Sequence, residues 1–129
     1  MNTLISWRLA RALAAVLVVA APAGWAHHGW DWAEDEQSEM TGTILDIHIA
    51  PPHPRIMIKS TDDVEWRVDL GNPRRTRKAG FVEGVASPGD TVVVRGHRSR
   101  NPDEKLFKAV RITIGDEVYT FYPERVVED

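Results

Sequence analysis

The sequence predicts an all-β protein: a small Greek-key barrel of five to six strands, with one short helical segment between strands three and four. Three observations carry this reading. Apolar and β-branched residues alternate with a period of two in several short runs. Proline, glycine and aspartate clusters separate those runs at short intervals. Only one stretch, opening at Asn72-Pro73, carries the start signals of a helix.

Residues 1–26 are a different kind of sequence. Arg8 and Arg11 precede an unbroken apolar run from Leu13 to Ala21, and Gly24-Trp25-Ala26 places small residues at −3 and −1. This predicts a secretory signal peptide cleaved after Ala26, and so a periplasmic or secreted protein. The apolar run is short for a bilayer span, so no stable membrane anchor is expected after cleavage. Cleavage removes 26 of 129 residues and leaves 103, enough for one small domain with one core. Loss of Arg8 and Arg11 from 16 basic side chains leaves 14 against 19 acidic ones, a formal net charge of −5. Nucleic acid is an unfavourable partner for that balance. Zero cysteines exclude disulfides and thiolate metal ligands, so packing alone must hold the domain.

Residues 27–39 form an extended leader rich in histidine, tryptophan and acids, with Trp30 and Trp32 spaced to dock it onto the barrel. The barrel domain is expected over 40–123, followed by a C-terminal tail at 124–129. Strand one is read from the alternation of Thr41, Thr43, Leu45, Ile47 and Ile49 with Gly42, Ile44, Asp46 and His48. Ala50-Pro51-Pro52-His53-Pro54 lacks three backbone donors, so the ladder stops there in a stiff turn that holds His53. Ile56 and Ile58 mark strand two, and Thr61-Asp62-Asp63 turns into strand three. There Val64, Trp66, Val68 and Leu70 face the core and Glu65, Arg67 and Asp69 face out. A short helix, Pro73 to Ala79, ends at Gly80, and Phe81, Val82 and Val85 follow as core plugs. Ser87-Pro88-Gly89-Asp90 has proline at i+1 and glycine at i+2 of a turn. Strand four is Thr91 to Arg95; strand five is Leu106 to Ile114, with a bulge near Ala109-Val110 where its alternation shifts. Gly115-Asp116 turns into a last strand, Val118 to Tyr122. This order matches a five-stranded Greek-key barrel of the OB type; an open β-sandwich of the same strands is the rival arrangement.

Ala26-His27-His28, Thr41-Gly42-Thr43, Pro52-His53, Trp66, Leu70-Gly71-Asn72-Pro73 and Pro88-Gly89-Asp90, in this order, resemble a family of small exported bacterial proteins of unknown function. The resemblance covers nearly all of the mature chain and implies the barrel and the exported compartment, but no reaction. Family members usually have Asn-Pro-His at Pro51-Pro52-His53, tryptophan at Ile49 and serine at Gly29. His27, His28 and His53 match the family pattern.

Cleavage after Ala26 frees an α-amino group on His27, within chelating reach of its own imidazole. Amine plus imidazole, completed by His28 or His53, is a nitrogen-rich set suited to Cu(II). Reference pKa values of about 6.5 and about 8 let the metal displace the remaining protons near neutral pH. The candidate metal ligands are therefore His27, His28 and His53, and copper is the one cofactor expected. His48 and His97 are read as surface or rim residues, and the acids at Asp31, Glu34, Asp35, Glu36 and Glu39 as a solvated face, lacking the spacing of a calcium loop. The basic run Arg74, Arg75, Arg77 and Lys78 is read as solvated. No nucleophile motif or phosphate loop appears, so no enzyme is expected. The alternative to copper is a metal-free module that binds a small molecule, glycan or protein on the open sheet face.

Overall fold

The computed structural model describes residues 29–128. Segment 1–26, and with it His27 and His28, lies outside the described residues. Six strands follow in chain order: β1 (Ser38–His48), β2 (Arg55–Ser60), β3 (Glu65–Asp69), β4 (Thr91–Arg98), β5 (Leu106–Ile114) and β6 (Glu117–Thr120). The helix α1 (Pro73–Lys78) stands between β3 and β4, and a 3-10 turn spans Pro123–Arg125. Antiparallel pairing runs β3-β2-β1-β4-β5-β6, and a parallel pairing of β3 with β5 closes the first five into a barrel. Closure leaves β6 as an added strand beside β5 and removes the open-sandwich alternative.

Each element follows from local chemistry. Asn72 Oδ1 accepts from Arg75 N at 2.9 Å and Pro73 occupies the first helical position, so α1 starts where the capping signal lies. In the turn before β4, Asp90 N donates to Ser87 O at 3.1 Å and Gly89 has φ +97°, the positive value that this turn demands at its third residue. On β3, Trp66 and Val68 point inward while Glu65 and Arg67 point out.

Two bulges set the phase of the long strands. On β1 the register slips between Ile44 and Asp46, so Met40, Gly42 and Ile44 face the core, Leu45 is expelled to solvent, and Ile47 returns inward. On β5 the slip falls at Val110, and Ala109 and Val110 are both buried. Bulges bend strands, and bending closes a barrel this small.

The core is one cluster running from Met40, Ile44, Ile56 and Ile58 through Trp66 and Val68 to Phe107, Ile112 and Phe121. Phe81, which follows α1, is fully buried against Tyr119 and Phe121 in edge-on ring contacts. Val82 is not a core plug: it is 42% exposed, because the chain turns outward directly after Phe81.

Candidate metal site at the base of the leader

The leader is fastened along β4 and the loop after it. Ala33 forms a bridge with Ser99, Glu34 N donates to Arg98 O at 2.8 Å, and Arg100 N donates to Trp32 O at 2.9 Å. Beneath this strap lies His97, only 5% exposed, whose imidazole meets the Trp30 ring edge-on at 5.2 Å. A carbonyl can only accept, so the 2.8 Å contact with Glu34 O puts the proton on His97 Nδ1. The rim position expected for His97 is therefore corrected. Strand four continues three residues beyond Arg95, and Gly96 together with the bulge of β5 opposite it turns the histidine under the leader.

Trp30 is the anchor of this segment. Its ring meets Tyr122 edge-on at 4.8 Å, and two cations lie over it, Arg125 at 3.9 Å and Lys108 at 4.6 Å. Lys108 also donates from Nζ to Gly29 O at 2.9 Å, tying down the first described residue. Burial pushes the Lys108 pKa below the ordinary lysine value; Asp69 opposes the shift and Arg125 adds to it. Burial likewise raises the Tyr122 phenol.

Gly29 lines a small groove of about 110 Å³ together with His53, Asp69, Lys108 and Tyr122. His53 itself is exposed, in the loop between β1 and β2. Of the three expected ligands the described residues contain His53 alone, and among them no group of three His, Asp or Glu side chains converges to hold a metal. Sequence reasoning missed Asp69 and Lys108, whose outward positions on two strands meet only because β3 and β5 pair in parallel, Asp69 opposite Lys108.

The outward face of β2 and β3 carries Arg55, Met57, Lys59, Glu65, Arg67 and Asp69. Several of these are paired with one another or with the adjacent turn, Arg67 with Asp69 at 2.7 Å and Lys59 with Asp63 at 3.2 Å. Among the described residues of β2 and β3 no aromatic ring stands on this face. Trp66, the tryptophan of β3, is turned inward, with Arg98 and Lys105 over its ring at 5.2 and 5.3 Å.

The fold has relatives among solved structures. The chain is similar to one from the S. pombe Stn1–Ten1 complex, with 18% identity and a TM-score of 0.50, over 60% of this chain and 57% of that one. It therefore spans less than two thirds of that relative. It is also similar to Rim1, the mitochondrial single-stranded DNA binding protein of S. cerevisiae, with 12% identity and a TM-score of 0.47, over 64% of this chain and 95% of that one. No curated protein matches. The family described as "Family of unknown function (DUF6152)" matches residues 14–107, nearly three quarters of the sequence, and the chain belongs to it.

Proposed function

We propose that this is an exported, non-enzymatic barrel protein that binds Cu(II) at its processed N-terminus, through the amine and imidazole of His27, with His28 and His53 completing the set. The observation that carries the reading is the groove that Gly29 shares with His53, with the Gly29 carbonyl held by Lys108 at 2.9 Å. His28 and His27 are the two residues that precede Gly29 in the sequence. The strap over β4 begins at Gly29, on the side of the barrel that carries His53, and this supports the reading. An amine, imidazoles and a nearby carboxylate, Asp69, are ligands that Cu(II) accepts. The compartment belongs to the same proposal, since the free amine on His27 exists only after signal-peptide cleavage.

The alternative, ligand binding on the open sheet face, has less behind it. That face is charged, internally paired and without aromatic rings, whereas single-stranded nucleic acid is held on stacking platforms.

Mass spectrometry of the exported protein fixes its first residue. Cu(II) titration by calorimetry with a competing chelator then compares four forms: the mature chain, the chain with one residue added ahead of His27, His53→Ala and His48→Ala. The extension and His53→Ala should each weaken binding at least tenfold, about 1.4 kcal/mol. His48→Ala should leave it unchanged; it is a better control than His97→Ala, because His97 packs under the leader. Equal affinity in all four forms, or no binding tighter than micromolar in the mature form, would overturn the copper reading in favour of the sheet-face module.

A further inference from the structure

We infer that the cleft between α1 and the C-terminal segment is a binding site for a phosphate group. The cleft holds about 590 Å³, and its polar lining is Asn72, Arg74, Arg75, Lys78, Thr120 and Glu124. Three cations thus face one carboxylate in a chain whose formal net charge is −3. Ala79, Phe121 and Pro123 complete the wall.

The charges stand where local helix electrostatics disfavours them. Arg74 stands in the first turn of α1, which contains no acidic residue, so it sits at the positive end of the helix dipole, whereas Arg75, Arg77 and Lys78 belong to the last turn. Arg74 and Lys78 are four residues apart on one face, a like-charge pair that weakens a helix. Placement near the carbonyl end accounts for Arg75, Arg77 and Lys78 but not for Arg74. An anion seated between these side chains would remove both penalties, and a local rule broken without compensation marks a functional position.

The cleft is also preorganised. Arg75 Nη1 donates to Phe121 O at 3.3 Å and to Glu124 Oε2 at 3.3 Å, its ion pair with Glu124 closes to 3.0 Å at Oε1, and its guanidinium lies 4.7 Å from the Tyr122 ring. Its planar head is held before a ligand arrives, so little side-chain freedom is lost on binding. Asn72 spends its carbonyl oxygen on the helix cap, which leaves its amide hydrogens to donate. Two arginines, a lysine and neutral donors around one space suit a tetrahedral phosphate, monoester or diester, with several acceptor oxygens better than a single carboxylate. The phosphate could belong to a soluble ester or to a lipid headgroup, and the two sources are separated by experiment.

The test uses the isotopically labelled mature protein with copper removed by chelation, so that its outcome does not depend on the copper reading. At constant ionic strength, glycerol 3-phosphate is titrated in one arm. Phosphatidylglycerol in phosphatidylcholine vesicles, against phosphatidylcholine alone, forms the other. The backbone amides of Arg74, Arg75, Lys78 and Thr120 should shift or broaden saturably, and a variant carrying Arg74→Gln and Lys78→Gln should bind at least tenfold more weakly with an unchanged spectrum elsewhere. Arg75 is left intact because its ion pair ties the C-terminal segment to α1. Response to glycerol 3-phosphate assigns a soluble ester; response to the anionic vesicles alone assigns a headgroup. No saturable response in either arm, or a double variant that responds as the parent does, would overturn the proposal.

Discussion

At the scale of single residues, two positions illustrate separate constraints, one of packing and one of charge. A Cβ on Gly96 would stand 2.0 Å from Lys108 O and 2.9 Å from Val110 N, both backbone atoms of β5 opposite the bulge. Neither can move without breaking the ladder, so Gly96→Ala should cost about 3 kcal/mol or more in denaturant unfolding. Gly84→Ala meets no atom within 4 Å and pays only for its positive φ, about 1 to 2 kcal/mol. Comparable losses at the two positions would mean that the β4–β5 approach is looser than described. The second position is Asp62, whose pKa is lowered chiefly by the hydroxyl that Ser60 donates to its carboxylate. A folded-state value below the unfolded one stabilises the protein above the ordinary carboxylate range, and that contribution is lost as pH falls through the lower folded value. Carboxyl NMR titration should show Asp62 titrating below a normal aspartate, and Ser60→Ala should return it towards normal. An unmoved titration in the variant would assign the shift to the neighbouring cations instead.

At the scale of elements, the leader is a strap with few apolar contacts apart from Trp30, Trp32 and Ala33. Its backbone bonds to β4 and the following loop should therefore open more readily than the sheet ladder beneath them. His97→Ala removes both the bond to Glu34 O and the ring under Trp30. Native-state hydrogen exchange should then speed up at least tenfold at the Glu34 and Arg100 amides while the β2 amides stay as protected as before. Uniform acceleration across the sheet would show that the strap opens only with the whole barrel. The Arg100–Asp35 ion pair adds little to this clasp, since both side chains are largely exposed.

For the whole molecule, closure is the decisive event. The parallel pairing of β3 with β5, reinforced by Arg67 N donating to Lys105 O at 2.9 Å, joins segments about forty residues apart and seals one core. With a single core and no disulfide, thermal unfolding should be one cooperative transition. Near-ultraviolet circular dichroism, reporting the packed aromatic residues, and far-ultraviolet circular dichroism, reporting the strands, should give the same midpoint. Separate midpoints would mean that part of the sheet survives loss of the core.

Local chemistry was enough to locate the strands, the helix and the turns, though not every strand end, since β1 opens at Ser38 and β4 runs on to Arg98. Alternation placed Trp66 and Val68 inside, the shift at Ala109-Val110 announced the bulge, and Asn72-Pro73 and Pro88-Gly89 marked the cap and turn. Each of these depends on neighbours within a few residues. Only the tertiary structure decided the choice of barrel over sandwich, because one parallel pairing distinguishes them and pairing leaves no mark on either strand alone. It alone showed Leu45 expelled, since a bulge inverts the faces downstream of a regular alternation. It alone put His97 under the leader, brought Gly29 to His53 and turned the basic run of α1 into one wall of a cleft. These are contacts between segments far apart in the chain, and a pattern read along the chain has no term for them.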